Sequence, residues 1–428
     1  MSEWKEYLLG DLLSLKPEYG ANAAGINYRP QLPRFLRITD IDDNGRLIKT
    51  DLVSVDIKYL EQYGLKQDDI VIARTGNTVG KSYLYNEKDG TLVYAGYLIK
   101  FRFDGGKVLP QFAFHHLQSE RFKSWIKNTV RIGAQPNINA AEYCSIKFKF
   151  PPLPEQRRIA RILSTADAVI EKTQAAIAKY QAIKQGMLQD VFTRGIDTTT
   201  GALRPRYDDA PHLYKESALG WIPKEWEADC LGSIIDAVDP QPDHRTPHSV
   251  ENGVPYLGIN DMDKYGNIDL TKCRKVSDEI LAEHKKRYTI RMGDIMFGKI
   301  GTIGEPKRLL NFDNITLSAN VILIQPKCVA DYIYWLLCSQ LINGQVKKSI
   351  HATSQPAFGI EKIRALIVPI CDEIEQSLIS QAINSCDTKL RTEQAYLEKL
   401  QALKKGLMED LLTGKVRVVA VEELAAQK

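Results

Sequence analysis

The sequence predicts an α+β protein that is a tandem duplication: a mixed α/β domain followed by a long helix occurs twice, and the two helices pair as an antiparallel coiled coil. Three observations predict this fold class. A segment of the first half recurs in the second half, strand-like runs occur at matching places in both halves, and each half ends in a long helical segment with heptad spacing. Half of the 428 residues is a usual size for one domain and its helix.

The repeat is clearest in the two helical segments. Residues 155–193 align without a gap on residues 375–413, at a constant spacing of 220 residues, and identical residues recur along the whole alignment. Shorter matching blocks lie upstream and are separated by insertions, as expected for a shared framework with different loops. These blocks are residues 35–42 with 256–263, 69–76 with 294–301, and 135–136 with 355–356.

Local patterns support the same division within each half. Periodic segments at residues 111–125 and 332–346 predict one helix each. Residues 195–225 are polar and rich in turn-forming residues, which predicts a linker between the halves. Apolar runs bounded by turn signals predict buried strands at residues 70–72, 98–101, 295–297 and 321–324.

Each long helical segment carries a seam of apolar residues at alternating steps of four and three, which is the pattern of a coiled coil. Each segment of 39 residues would form a helix roughly 58 Å long, which is long enough to act as a spacer. Pairing the two helices would bury both seams. A two-fold arrangement of the duplicated halves makes the helices antiparallel and puts the two domains at opposite ends. The predicted seam, with one polar residue at the same place in each helix, is Ile159, Leu163, Ala166, Ile170, Thr173, Ile177, Tyr180, Ile379, Ile383, Cys386, Leu390, Glu393, Leu397 and Leu400.

Composition places the chain among globular proteins. Of its residues 44% are hydrophobic and 26% are charged, which excludes the disordered and fibrous classes. The net charge of +4 is too small to indicate nucleic-acid binding by itself. The seven cysteines contain no CxxC pair, so the sequence predicts neither a zinc cluster nor a disulfide framework, and it favours a reducing compartment. Because the N-terminus shows no signal-peptide pattern, we expect a cytoplasmic protein.

No cofactor, metal site or catalytic residue is predicted. Residues 76–82 resemble a phosphate-binding loop, but three residues instead of four separate the first glycine from the Gly-Lys-Ser ending. His244 and His248 are four residues apart in a proline-containing loop with no further ligand nearby, so we expect solvated histidines there. His115 and His116 are expected on a helix surface. The sequence also lacks the Pro-Pro-aromatic motif of amino-methyltransferases and an evident nuclease centre.

Four motifs occur in the sequence: residues 133–138 (Gly-Ala-Gln-Pro-Asn-Ile), the proline-rich run 150–156 that ends in Glu-Gln before a long helix, residues 74–76 (Arg-Thr-Gly) after a strand, and residues 219–226 (Leu-Gly-Trp-Ile-Pro-Lys-Glu-Trp) in the linker. Together these motifs resemble the specificity subunit of type I restriction-modification enzymes. The second copy departs from the family's pattern at residues 369–376, where Pro-Ile-Cys-Asp-Glu-Ile-Glu-Gln replaces a proline-rich start of the helix. The order of domain, helix, domain, helix resembles the family over nearly the whole chain.

The resemblance implies a non-catalytic, sequence-specific subunit that reads a bipartite, gapped target in double-stranded DNA. It implies two methyltransferase subunits as partners and, in the full complex, restriction subunits with motor and nuclease activity; the methylation of flipped adenines is then the partner's chemistry. The spacer helices would fix the unread gap and dock the methyltransferases, with half-site centres roughly 10 bp apart. Two alternatives stay open: the specificity subunit of a gapped-site combined restriction-methylation enzyme, and a coiled-coil adaptor that binds only proteins.

Loops that follow strands and contain glycine are the predicted DNA-binding surfaces, because glycine lets the backbone approach a phosphate or a base edge. Arg74 and Lys299 occupy matching positions just after a strand in the two halves. Arginine can bond guanine with both ends of its guanidinium, while glutamine and asparagine pair with adenine. The candidate DNA-binding residues are Arg29, Arg34, Arg37, Arg74, Asn77, Thr78, Lys81, Arg131, Gln135, Asn137, His248, Lys299, Thr302, His351, Thr353, Ser354 and Gln355.

The repeat and the resemblance together give the predicted domain boundaries. In order along the chain these are target-recognition domain 1 at residues 1–150, spacer helix 1 at 151–194, a linker at 195–225, target-recognition domain 2 at 226–369, spacer helix 2 at 370–416 and a C-terminal tail at 417–428.

Overall fold

The computed structural model describes residues 3–130, 136–243, 245–263, 266–269, 271–310, 314–350 and 357–418. This part of the chain divides into two compact units. Unit 1 consists of the described residues within Met1–Gln174 and Ala395–Lys428, and unit 2 consists of those within Ala175–Gln394. Both boundaries fall inside a long helix, so each unit contains one mixed domain and a part of both helices.

The first half of the chain contains short strands, a few short helices and one long helix. Its strands are β1 (Lys5–Leu8), β2 (Glu18–Tyr19), β3 (Ile26–Asn27), β4 (Arg34–Leu36), β5 (Val53–Ser54), β6 (Ile70–Ala73), β7 (Ser82–Leu84), β8 (Leu92–Tyr94), β9 (Leu98–Phe101) and β10 (Lys147–Phe150). Its helices are α1 (Leu60–Tyr63), α2 (Pro110–Leu117), α3 (Glu120–Thr129), α4 (Ala140–Cys144) and α5 (Leu153–Val191).

After a hairpin, the described part of the second half repeats this order without a counterpart of β3. Its strands are β11 (Tyr214–Ser217), β12 (Gly220–Pro223), β13 (Glu227–Cys230), β14 (Ile235–Val238), β15 (Val254–Leu257), β16 (Lys275–Val276), β17 (Ile295–Gly298), β18 (Pro306–Arg308), β19 (Thr316–Leu317), β20 (Val321–Pro326) and β21 (Ile367–Ile370). Its helices are α6 (Asp278–Arg287), α7 (Ala330–Cys338), α8 (Gln340–Ile350), α9 (Ile360–Arg364) and α10 (Glu373–Thr413). Within the described ranges, no helix is both long and apolar enough to cross a membrane.

Three sheets recur in both units with the same strand order, except that β3 of unit 1 and the hairpin β11-β12 of unit 2 have no counterpart among the described residues. The largest sheet is antiparallel, with the order β2-β9-β6-β7 in unit 1 and β14-β20-β17-β18 in unit 2. A second sheet contains a parallel pair in each unit, β4 with β8 and β15 with β19. The first and last strands of each domain form an antiparallel ribbon, β1 with β10 and β13 with β21. The predicted duplication of a mixed α/β domain is therefore confirmed.

The central strand β6 is apolar along its whole length because both of its faces are covered. Ile70 and Ile72 join a cluster with Phe112 of α2, whereas Val71 packs on the other side with Leu36 of the second sheet. Strand β17 divides its side chains between two clusters of unit 2 in the same way. Burial on both faces explains why the sequence pattern is a continuous apolar run instead of an alternation.

In unit 1, a segment of α5 runs antiparallel to the end of α10. Asp167 on α5 pairs with Lys404 on α10, with 2.5 Å between Oδ1 and Nζ. At the start of α5, the buried carboxylate of Glu155 accepts two bonds from Arg417 at 2.8 and 2.7 Å, and one from the backbone N–H of Val418 at 3.1 Å. Residue numbers thus rise along α5 as they fall along α10, so the predicted antiparallel pairing is confirmed in this unit.

Unit 2 contains the equivalent arrangement with the roles of the helices exchanged. Lys184 on α5 donates to Asp387 on α10 at 2.5 Å. The buried carboxylate of Glu375 accepts bonds from Arg204 at 2.5 and 3.1 Å, from the backbone N–H of Ile196 at 2.7 Å and from Nε1 of Trp226 at 2.9 Å. Arg204 and Ile196 lie in the range predicted as a linker, and that range is therefore anchored at the start of α10 and also contains the hairpin β11-β12.

The residues at the predicted seam positions are buried or half-buried. Thr173, the polar position of α5, is buried and donates its hydroxyl to the carbonyl of Val169 at 2.9 Å. The other buried seam residues are Ile159, Leu163, Ile170, Ile177, Ile379, Ile383, Cys386 and Leu390. The half-buried seam residues are Ala166, Tyr180, Glu393, Leu397 and Leu400.

Two segments that were predicted as single helices are each two helices. Residues 111–125 cover parts of α2 and α3, and residues 332–346 cover parts of α7 and α8. The hydroxyl of Ser119 accepts a bond from the N–H of Phe122 before α3, and the hydroxyl of Ser339 accepts one from the N–H of Ile342 before α8. Each serine therefore caps a new helix, and this break is the correction to the prediction.

His115 and His116 are buried in the core of unit 1, so the prediction of a surface position was wrong. The ring of His116 packs against Phe112, Phe148 and Phe150, with ring centroids 4.8 to 4.9 Å apart. Helix α2 covers the ribbon β1-β10 with this face, and the aromatic surroundings accommodate a neutral imidazole as a flat, mostly apolar ring.

Candidate nucleic-acid interface

Unit 1 contains a cleft of about 600 Å³ next to the ends of strands β2 and β6. Two arginines and two tyrosines line it, Arg37, Arg74, Tyr19 and Tyr97, and the side chain of Tyr97 is 62% exposed. The floor consists of small residues. At Gly20 a Cβ would lie 2.3 Å from the carbonyl oxygen of Ala95, so only glycine fits there. A concave surface that combines guanidinium groups with exposed aromatic rings suits phosphates and bases.

Arg74 extends from the end of β6 into this cleft. Its guanidinium lies over the ring of Tyr19, 4.8 Å from the centroid, and its Nε donates to Oδ1 of Asn137 at 3.3 Å. The backbone on both sides is held as well: the N–H of Arg74 donates to the carbonyl of Tyr97, and its carbonyl accepts from the N–H of Ile138. The structure therefore brings together the predicted residues Arg74 and Asn137.

The other predicted arginines of unit 1 that the structure describes differ in how far protein groups already bond their side chains. Arg37 bonds Asp40 at 2.8 Å and Asp51 at 3.1 Å, and the hydrogen bond with Asp40 raises the pKa of its guanidinium. Arg34 donates to the carbonyl of Ile48 at 2.5 Å. Arg29 is exposed on the loop before β4. Arg37 thus lines the cleft as a partly neutralised charge, while Arg29 points to solvent.

The glycine-rich turn after β6 presents three further predicted residues. Gly76 and Gly80 have φ values of +69° and +86°, which glycine adopts readily. Asn77 between them is exposed, and Thr78 donates its hydroxyl to the carbonyl of Thr75 at 3.1 Å. Lys81 pairs with Asp43 at 2.8 Å, where the Asp43 carboxylate is exposed.

In unit 2 the matching positions have a different chemistry. Lys299 is 7% exposed, and its Nζ donates to Oδ2 of Asp239 at 2.6 Å. Its backbone is held like that of Arg74, because the carbonyl of Lys299 accepts from the N–H of Phe358 at 3.0 Å. Thr302 is half-buried in the turn that follows, and His248 is exposed on the loop before β15. The structure does not bring His248 and Lys299 into contact.

Six predicted residues lie outside the described residues. They are Arg131, Gln135, His351, Thr353, Ser354 and Gln355.

The sequence analysis missed three residues that shape these sites. Tyr19 and Tyr97 line the cleft of unit 1, and Asp239 holds Lys299 in unit 2. A signal existed for Tyr97, since it lies next to a glycine directly before a buried strand. Tyr19 and Asp239 carry no such signal, because each reaches the cation from the end of a strand that is distant in sequence and two places away in the sheet.

Known proteins resemble the chain over most of its length. The specificity subunit of the type I restriction enzyme MjaVIII from Methanocaldococcus jannaschii is 24% identical over 367 residues, which are 83% of this chain and 80% of the relative. The putative type I restriction enzyme MjaX specificity subunit of the same organism is 25% identical over 406 residues, 89% of this chain and 87% of the relative.

Solved structures show the same fold. The crystal structure of a type I restriction-modification S subunit from M. genitalium superposes with a TM-score of 0.62 at 15% identity and covers 96% of both chains. A chain from a structure of the type I restriction-modification system, described in terms of complex assembly and conformational transition, gives a TM-score of 0.50 at 12% identity and covers 97% of this chain and 99% of that chain.

A family model matches each half of the repeat. The model describes the type I restriction modification DNA specificity domain, and it matches residues 1–179 and 223–402. The two matches cover most of the chain and coincide with the two copies that the sequence and the sheet topology reveal. The chain therefore belongs to the family of type I restriction-modification DNA specificity domains and carries that domain twice.

Proposed function

We propose that the chain is the DNA-recognition subunit of a type I restriction-modification complex, and that each unit reads one part of a bipartite, gapped target. One observation carries this proposal: the two units have the same topology but different side chains at equivalent strand ends, Arg74 over an aromatic ring and Lys299 against a carboxylate. Two readers of the same fold whose equivalent strand ends differ in chemistry suit a target whose two parts differ in sequence.

Catalysis belongs to partner subunits in this proposal. Two methyltransferase subunits bind the chain and methylate adenines that they flip out of the duplex, and restriction subunits join them in the full complex. The paired segments of α5 and α10 act as the spacer, with centres of the two target parts roughly 10 bp apart. The complex acts in the cytoplasm, where its DNA is.

Methylome sequencing of cells that express this chain with its methyltransferase subunit tests the proposal. The expected result is methylation of adenines in one gapped target with two different parts. Replacing residues 1–150 with those of a relative should change one part and leave the other part and the gap. A continuous target, or a simultaneous change in both parts, would contradict independent reading by the two units.

A salt titration separates this function from that of a protein-only adaptor. Binding of a target duplex to the chain with its methyltransferase should weaken linearly with the logarithm of the salt concentration, because phosphate contacts release counterions. An adaptor of proteins would show no salt-sensitive binding of DNA in either the presence or the absence of the methyltransferase.

A further inference from the structure

The cations at the ends of β6 and β17 occupy equivalent places but have different neighbours. Arg74 directly follows β6 and Lys299 directly follows β17. Tyr19 ends β2, and Asp239 follows Val238 at the end of the equivalent strand β14. The residue beside the cation is thus a tyrosine in unit 1 and an aspartate in unit 2.

The tyrosine of unit 1 holds the guanidinium without using up its hydrogen-bond donors. Arg74 stacks on the ring of Tyr19, and its Nε bonds Asn137. The hydroxyl of Tyr19 in turn accepts a bond from the N–H of Ala140 at 3.2 Å, which fixes the ring. Within the described part of the chain, neither Nη1 nor Nη2 of Arg74 bonds a protein group, so two adjacent donors face the cleft in a fixed plane.

In unit 2, by contrast, Asp239 binds the charged group of the lysine directly. Asp239 binds Nζ of Lys299 at 2.6 Å, and both side chains are mostly withdrawn from water. The carboxylate also accepts a bond from the backbone N–H of Gln241 at 3.1 Å. The ion pair therefore joins the loop after β14 to the end of β17, and the lysine charge is neutralised within the protein.

We infer that Arg74 is a base-reading residue of unit 1 that recognises a guanine, and that Lys299 is a structural residue that reads no base. The inference rests on the proposed function, since it names what one of the two readers recognises. A guanidinium held in one plane with two free donors matches the O6 and N7 acceptors of guanine in the major groove. Lysine has no such planar fork, so the two cations are not interchangeable.

The test is the methylation target of the full-length chain expressed with its methyltransferase subunit, for Arg74→Lys, Arg74→Ala and the matched double variant Lys299→Met with Asp239→Asn. Both Arg74 variants should lose the preference for guanine at one position by about tenfold or more, and only in the part read by unit 1. The double variant, which removes the buried pair without leaving a lone charge, should keep every position of the target.

Two further variants test whether Tyr19 positions Arg74. Tyr19→Phe keeps the aromatic ring and should keep the preference for guanine, whereas Tyr19→Leu removes the stacking surface and should weaken the preference at that same position.

If Arg74→Ala abolishes methylation, the base preference of its complex is measured instead by selection from a randomised duplex library, with thermal melting as the check of folding.

The outcomes separate the inference from the proposed function. An unchanged target in folded Arg74 variants overturns the inference alone, and so does a uniform loss of binding with no change of base preference, which marks a phosphate contact. A changed base in the Lys299→Met, Asp239→Asn variant overturns the structural role of Lys299. If the unmodified chain directs methylation to no gapped target, the proposed function fails and the inference fails with it.

Discussion

Asp167 and Lys404 form an ion pair in unit 1, with 2.5 Å between the charged atoms and both side chains largely withdrawn from water. Unit 2 contains the same pair with the helices exchanged, Lys184 on α5 with Asp387 on α10. Each pair joins the aspartate of one copy of the repeat to the lysine of the other. The identity of these residues in the two halves of the sequence therefore has a structural reason: each copy supplies both partners.

Replacing Lys404 with alanine should lower the free energy of unfolding by about 2 kcal/mol. The value lies between those of exposed and fully buried pairs, because Asp167 keeps part of its contact with water. Urea denaturation measures the loss, and exposed Lys405→Ala serves as the control, with an expected change within about 0.5 kcal/mol. The exchanged pair Asp167→Lys with Lys404→Asp should recover part of the stability; no recovery would mean that the pair itself contributes little.

The carboxylate of Glu155 should make the stability of unit 1 depend on pH in the acidic range. Burial by itself would raise its pKa, but the hydrogen bonds from Arg417 and Val418 outweigh this effect, and the pKa lies below its ordinary value of 4.5. A lowered pKa contributes stability at pH values above 4.5 that is lost as the pH falls through the folded value.

Glu155→Gln should therefore destabilise the protein by about 2 kcal/mol at pH 7 and by less below pH 4. Urea denaturation of both proteins at pH 7 and at low pH measures the difference. Equal destabilisation at the two pH values would show that the charge of Glu155 contributes nothing beyond its hydrogen bonds.

Features that repeat along one element could be predicted from the sequence, and features that depend on distant neighbours could not. The period of Ile159, Leu163 and their successors is a local property, so the helix pair was predictable. The break at Ser119 was missed because the apolar period continues through a residue that also caps a helix. The different roles of Arg74 and Lys299 depend on partners from another strand, and the Lys299 pair spans 60 positions of the chain.

The buried histidines of α2 give a second pH dependence, in a higher range. Burial lowers the pKa of His115 to about 4 and that of His116 to about 3, from an ordinary value of 6.5. Below pH 6.5 the unfolded chain takes up protons that the folded chain does not, so stability falls as the pH falls from 6.5 towards 4.

Between pH 6.5 and 5 the expected loss is about 2 kcal/mol for each histidine. His116→Phe retains an aromatic ring among Phe112, Phe148 and Phe150 but does not titrate. This variant should lose the contribution of His116 to the pH dependence in that range, as measured by urea denaturation. An unchanged slope would mean that His116 is protonated in the folded protein.

Gly186 and Gly406 occupy the same position of the repeat, one in each long helix, and substitution by alanine should stabilise both sites. A Cβ at either position would meet no atom within 4 Å, and alanine is favoured over glycine in a helix by about 1 kcal/mol. Gly201 is the matched control: it also has open space around it, but its φ of +69° is unfavourable for alanine, so Gly201→Ala should destabilise by about 1 kcal/mol. Thermal melting of the three variants measures whether each one is stabilised or destabilised. A loss of stability in Gly186→Ala or Gly406→Ala would contradict the prediction.

The same two variants also report on the partner subunit. If they are stabilised but methylate DNA less well with that subunit, a close approach of the partner to the helix backbone is the reason.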